Sequence, residues 1–132
     1  MKRTILITGA AGNIGGKLTA HFNATGAYDL RLLDQKTGEG IVAADLGVYG
    51  GDWPGQFEGV DTVVHLAGNP SGAASWSAVQ GANIAGVQNV LRAAASAGVR
   101  RVVFASTNQV MLGYRFREDV PVVTTDLPPA PL

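Results

Sequence analysis

The chain has 132 residues, one domain's worth and enough for a single core, and its 46% hydrophobic and 15% charged content argues against disorder. Ten basic and ten acidic residues cancel to a formal net charge of zero, so nothing points to nucleic acid or an anionic membrane as partner. No cysteine is present, which excludes disulfides and thiolate metal sites. With no signal segment and no apolar run of transmembrane length, a cytoplasmic protein without a metal is expected.

The first apolar run, Ile5-Leu6-Ile7, has the continuous pattern of a strand buried on both faces, and it stops in Gly9, Gly12 and Gly15. From Ile14 the apolar residues recur at Leu18 and Phe22, the i, i+4, i+8 spacing of one helix face. Strand, glycine turn and helix start together form a site for a pyrophosphate. One glycine turns the chain, a second lets backbone approach a ligand, and a third lets helix and strand pack closely. Gly9, Gly12, Asn13, Ile14 and Gly15 are therefore the expected dinucleotide contacts.

Thr25-Gly26 supplies a helix stop, and a second strand is predicted over residues 29–33. Asp34 ends it, 19 residues after Gly15, where a carboxylate accepts hydrogen bonds from both hydroxyls of an adenosine ribose and repels a 2′-phosphate. NAD is thus expected over NADP, with Arg31 inside the strand and Lys36 turned to solvent. Residues 41–44 read as a short third strand running into Asp45 and Leu46. From composition alone, Asp45 suits either an adenine amino group or the cap of a following helix.

Residues 47–59, rich in glycine, predict at most a short helix, with Trp53 and Phe57 packing it onto the sheet. A fourth strand is predicted over residues 61–68, ending in Ala67, Gly68 and Asn69; His65, inside it, is read as structural. A long helix follows over residues 77–97, with an apolar stripe of Val79, Ile84, Val87, Val90, Leu91, Ala94 and Ala95, and it stops at Gly98. The fifth strand, residues 101–105, leads into Ser106 and Thr107. Four of six prolines lie in residues 121–131, so residues 119–132 read as a loop-like tail after a unit spanning 1–118. Strands alternating with helices predict an α/β, doubly wound parallel sheet of the Rossmann type. Ligands on such sheets bind beyond the carboxyl ends of the strands, where all the polar candidates fall.

These motifs resemble the extended short-chain dehydrogenase/reductase family of sugar-nucleotide epimerases, dehydratases and related dehydrogenases. The matching pieces are Thr8-Gly9-Ala10-Ala11-Gly12-Asn13-Ile14-Gly15, Asp34, Ala44-Asp45-Leu46, His65-Leu66-Ala67-Gly68, Asn83-Ile84-Ala85-Gly86-Val87-Gln88-Asn89-Val90 and Phe104-Ala105-Ser106-Thr107. They span nearly the whole chain in order and imply a five-stranded sheet of order 3-2-1-4-5. The run Phe104-Ala105-Ser106-Thr107-Asn108-Gln109 is most similar to the uronate or aldose dehydrogenase branch. Asn108-Gln109 stands where dehydratases carry Asp-Glu, which speaks against acid–base elimination of water.

The resemblance implies that Thr107, supported by Ser106, hydrogen-bonds a sugar-type substrate. It also implies a Tyr-x-x-x-Lys pair whose tyrosine exchanges the proton and whose lysine lowers the tyrosine pKa. None of the three tyrosines here has a lysine four residues on, and the position counted from Thr107 coincides with the last residue, Leu132. The expectation is the first half of the family fold, lacking its catalytic pair and the segments that build the substrate pocket. Three readings follow: the NAD-binding portion of an oxidoreductase or epimerase, a module that holds or senses NAD without turnover, or a folded remnant. An open edge at the fifth strand predicts self-association.

Overall fold

The computed structural model describes residues 1–132. Five parallel strands form one sheet in the order β3-β2-β1-β4-β5: β1 (Arg3–Thr8), β2 (Tyr28–Asp34), β3 (Ile41–Ala43), β4 (Thr62–His65) and β5 (Arg101–Phe104). This is the predicted Rossmann-type order, with shorter third, fourth and fifth strands than the apolar runs suggest. In β4 the ladder stops at His65 because the chain then turns toward the ligand-binding edge.

The period of two in a strand divides the run Ile5-Leu6-Ile7 between two faces. Leu6 joins Leu33, Phe57, Val63 and Val90 in the larger core, all of them inaccessible to solvent. Ile5 and Ile7 face the other way with Ala10, under Leu18 and Phe22 of α1 (Asn13–Thr25). Gly26 closes α1 in the left-handed conformation, its amide donating to the Phe22 and Asn23 carbonyls. Ile14 departs from the predicted stripe: it is 62% exposed, because the first turn of α1 projects past the sheet's carboxyl edge.

The crossover from β3 to β4 runs over the opposite face. Trp53 and Phe57 pack there as expected, around a single 3₁₀ turn (Pro54–Phe57), and the Trp53 indole donates to the Val48 carbonyl at 3.1 Å. Arg31 points to this face and its guanidinium donates to the Gln56 and Glu58 carbonyls, both at 2.6 Å. The crossover is thereby pinned to β2.

The predicted long helix is three pieces: α2 (Trp76–Val79), one wide π-helical segment (Gln80–Ala85) and α3 (Gly86–Ser96). The wide segment rotates the later side chains out of the register a uniform helix would keep. Val90 and Ala94 of the predicted stripe line the core together with Ala93, while Ile84 and Leu91 of that stripe are exposed. After β5 a 3₁₀ helix (Asn108–Phe116) forms, and the proline-rich tail returns to it. Ala130 donates to the Val110 carbonyl at 2.8 Å and accepts from Gly113, while the buried Tyr114 hydroxyl donates to the Pro128 carbonyl at 2.8 Å.

Candidate functional site

Because all five strands are parallel, their carboxyl ends share one edge, and β1 and β4 part company in the middle of it, where the order reverses. The glycine turn lies at this switch point. Asp34 and Asp45 follow β2 and β3 on one side; Ala67, Gly68, Asn69, Ser106 and Thr107 follow β4 and β5 on the other.

Each glycine of the turn has a separate steric reason. Gly9 has φ of 71°, and a Cβ there would lie 2.8 Å from the Ala67 nitrogen and 2.9 Å from the Leu66 carbonyl carbon. A Cβ on Gly15 would clash with the Gly9 carbonyl oxygen and sit 2.8 Å from the Ala10 Cα, so this glycine lets α1 rest on the turn. On Gly12 a Cβ would meet only the Gly9 oxygen, at 3.2 Å, and the space beyond is open.

The first helical hydrogen bond of α1 is Gly16 N–H to Gly12 O, at 2.8 Å. The N–H groups of Asn13, Ile14 and Gly15 precede it, no side chain caps the helix start, and no acidic residue occupies its first turn. Unmet donors at the positive end of a helix dipole, beside an open glycine, suit a phosphate anion.

Asp34 ties the turn to β2: Oδ2 accepts from the Ala11 amide at 2.9 Å and Oδ1 from the Lys36 amide at 2.8 Å. Each carboxylate oxygen keeps a lone pair for a further donor, such as a ribose hydroxyl. Arg31 is committed beneath the sheet and cannot offer its charge to a 2′-phosphate.

Asp45 Oδ1 accepts from Gly47 N–H at 3.0 Å and closes a turn; no helix begins there, so the capping alternative is corrected to a turn. Leu46 places its side chain in the core and its carbonyl under the Asn89 amide at 2.8 Å, leaving only its own N–H for a ligand.

Two residues of the helical segment, absent from the expected contacts, hold these loops. Asn83 accepts from Asn69 N–H at 2.6 Å and donates to the Asn69 carbonyl at 3.0 Å, and its oxygen lies 3.1 Å from where a Gly68 Cβ would be. Asn89 holds the Leu46 loop by a single bond, its Nδ2 donating to the Leu46 carbonyl at 2.8 Å. Their spacing in the sequence was the available signal, but only the π-helical segment turns Asn83 toward the loop after β4. The Asn69 side chain accepts from Ser71 N–H at 3.0 Å and shapes the turn beyond.

His65 is 2% exposed. Its Nδ1 lies 2.6 Å from the Thr8 hydroxyl, which also accepts from Ala67 N–H at 3.3 Å. Burial lowers its pKa, and its ring stacks on Phe104. The imidazole thus joins β1, β4 and the start of the Ala67 loop, as the structural reading expects. Thr107 Oγ1 accepts from Gln109 N–H at 3.2 Å, starting the 3₁₀ helix, and retains its proton for donation; the Ser106 side chain is exposed. Of the tyrosines, Tyr28 begins β2 at the far edge, Tyr49 lies under Arg92 at 4.1 Å, and Tyr114 is bonded to the tail.

Comparison with known proteins places the chain among relatives of known family. The family model described as NAD dependent epimerase/dehydratase family matches residues 5–121. An L-arabinose 1-dehydrogenase (NAD(P)(+)) from Haloferax volcanii is 41% identical over 115 residues, covering 86% of this chain and 44% of the relative. A uronate dehydrogenase from Pseudomonas putida is 31% identical, covering 88% of this chain and 45% of the relative.

Among solved structures, a mutant uronate dehydrogenase from Agrobacterium tumefaciens complexed with NAD superposes with a TM-score of 0.80 at 30% identity, over 99% of this chain and 49% of that one. A short-chain dehydrogenase/reductase superfamily protein from the same organism, with bound NAD, gives 0.83 at 33% identity, over 98% of this chain and 40% of that one. The chain spans about half the length of the curated relatives it matches. Since the family model spans most of the chain, the chain belongs to the NAD dependent epimerase/dehydratase family.

Proposed function

We propose that this chain is the NAD-binding portion of an oxidoreductase acting on a CH–OH group of a sugar or sugar acid. The observation that carries the reading is the link between the uncapped α1 start and Asp34. One carboxylate fixes the phosphate-binding turn through Ala11 and keeps lone pairs for a ribose. Residues 1–118 form the dinucleotide unit and 119–132 a tail. The location is cytoplasmic; no helix is long and apolar enough to cross a membrane.

In this reading the Asn13, Ile14 and Gly15 amides bind pyrophosphate, Asp34 the adenosine ribose, and Asp45 with the Leu46 amide the adenine edge. Ala67, Gly68 and Asn69, held by Asn83, support the second half of the dinucleotide. When bound, NAD supplies a hydride acceptor. Thr107, with Ser106 beside it, donates to the substrate oxygen and orients it. General acid–base transfer needs a group these residues lack, because no tyrosine has a lysine one helical turn later. Binding without turnover is therefore expected of the chain by itself. A module that only holds or senses NAD is the second reading, favoured by the commitment of the Tyr114 hydroxyl to Pro128.

Calorimetric titration with NAD and with NADP tests the proposal. NAD should bind more tightly. Asp34→Ala should weaken NAD by roughly 10- to 100-fold, because hydrogen bonds to a charged group contribute about 1.5–3 kcal/mol. Binding of NAD that is indifferent to Asp34→Ala, or no binding of either dinucleotide, would refute it.

A further inference from the structure

The peptide plane between Leu46 and Gly47 is held at both of its polar groups. Its carbonyl accepts from Asn89 Nδ2 at 2.8 Å, and its N–H donates to Asp45 Oδ1 at 3.0 Å. A peptide unit is planar, so the two groups cannot turn independently. Whatever fixes the carbonyl also fixes the direction from which the N–H holds the Asp45 carboxylate. Gln35 Nε2 stands 3.5 Å from the same oxygen, at the outer limit of a hydrogen bond, which leaves the peptide as the closer tether. Asp45 Oδ2 accepts from no group of the chain.

Packing seats the same peptide from the helix side. The Leu46 side chain lies in the core, and a Cβ on the buried Gly86 would sit 3.7 Å from the Leu46 Cβ, so the start of α3 rests against this residue. Asn89 follows three residues later on the same helix face, which carries its amide to the Leu46 carbonyl. All of these contacts join two internal segments of the chain, residues 45–47 and 86–89.

We propose, building on the dinucleotide reading of this edge, that Asn89 is a positioning residue for base selectivity: through the Leu46–Gly47 peptide it aims Asp45 Oδ2, alongside the Leu46 N–H, at the edge of an adenine. Adenine presents an amino donor beside a ring-nitrogen acceptor, which a carboxylate oxygen and an N–H match. Hypoxanthine, its deaminated counterpart, presents a carbonyl acceptor beside a ring N–H. Both pairings are then reversed, with oxygen facing oxygen and N–H facing N–H. Discrimination requires the protein groups to stay in place, because a carboxylate free to swing away escapes the mismatch. Asn89 supplies that constraint without touching the ligand.

Calorimetric titration of the chain with NAD and with nicotinamide hypoxanthine dinucleotide, which differ only at the base, tests this. The native chain should prefer NAD by about tenfold or more, the factor that a hydrogen bond to a charged group carries. Asp45→Ala should abolish the preference. Asn89→Ala should reduce it to about threefold or less, chiefly by weakening NAD. Asn83→Ala, which loosens the loop after β4, should weaken both dinucleotides alike and keep the preference. A general loss of structure also weakens both alike, so it cannot imitate a lost preference. The side-chain NH₂ resonances of Asn89 in the native chain give a second reading that needs no substitution. At saturation NAD should shift them, and the hypoxanthine dinucleotide should leave them near their free positions. A native chain that does not distinguish the two dinucleotides, a preference that survives Asn89→Ala, or Asn89 resonances indifferent to NAD would overturn the proposal while leaving NAD binding in place. Failure to bind either dinucleotide would overturn it together with the dinucleotide reading of the site.

Discussion

Gly15 and Gly16 are neighbours in the first turn of α1, and neither has a positive φ, so alanine at the two positions separates packing from conformation. At Gly16 an added Cβ meets only the Ala10 carbonyl oxygen, at 3.9 Å, an ordinary contact. Gly16→Ala should therefore gain most of the helix-propensity difference, about 1 kcal/mol. At Gly15 the same Cβ runs into the Gly9 carbonyl oxygen, the Ala10 Cα at 2.8 Å and the Gly9 carbonyl carbon at 2.9 Å. All are backbone atoms and cannot rotate away. The turn is also tethered, by Ala10 N–H to the Leu33 carbonyl and Ala11 N–H to Asp34.

Overpacking of this kind costs about 1–3 kcal/mol. A turn displaced to relieve it gives up tethers worth about 1 kcal/mol each. After the propensity gain, Gly15→Ala should be destabilised by about 1–3 kcal/mol and should lie about 2–4 kcal/mol below Gly16→Ala. Urea unfolding at one fixed protein concentration reads this as midpoints separated by roughly 1–2 M at unchanged m. NAD binding should be lost in Gly15→Ala only. Equal midpoints for the two variants would refute the packing of α1 on the turn from which the argument is built.

Two further predictions concern the supports of the site. The buried His65 is neutral when folded, its pKa lowered by burial, whereas the unfolded chain titrates at the ordinary value of 6.5. The unfolded state binds the proton first as pH falls. Stability should therefore decline below 6.5, by at most about 1.4 kcal/mol per pH unit, until the lowered folded-state value is reached. Denaturant midpoints across this window should slope more steeply for the native chain than for His65→Gln, and parallel profiles would contradict the assignment. Asn83→Ala removes both partners of the Asn69 backbone from a solvent-accessible loop. It should cost about 1 kcal/mol of stability, since water replaces part of the loss, yet weaken NAD roughly tenfold by freeing the loop after β4. Unchanged affinity in calorimetry would remove Asn83 from the positioning residues.

What the sequence by itself determined is what local chemistry decides. The apolar run Ile5-Leu6-Ile7 is a strand wherever it lies in a parallel sheet. Gly9, Gly12 and Gly15 make the turn that follows, and Gly26 stops α1. The sheet order was legible through the family resemblance, and the placement of Asp34 through its distance from the glycines. Trp53 and Phe57 were legible as packing residues because aromatic bulk in a glycine-rich crossover has no other way to leave water.

Tertiary structure alone decided which groups meet. Arg31 reaches carbonyls 25 and 27 residues away, and Asn89 a carbonyl 43 away; no window along the chain contains both partners. The π-helical segment Gln80–Ala85 holds Asn83 at Asn69, and neither that wide turn nor the exposure of Ile84 and Leu91 was legible in the apolar spacing. Exposure is likewise a property of neighbours. Val103 has the residue type of a core position, yet it is 48% exposed, because no element of the described chain packs over it. Burial and pairing depend on what the folded chain brings alongside a residue, and that information resides in long-range contacts.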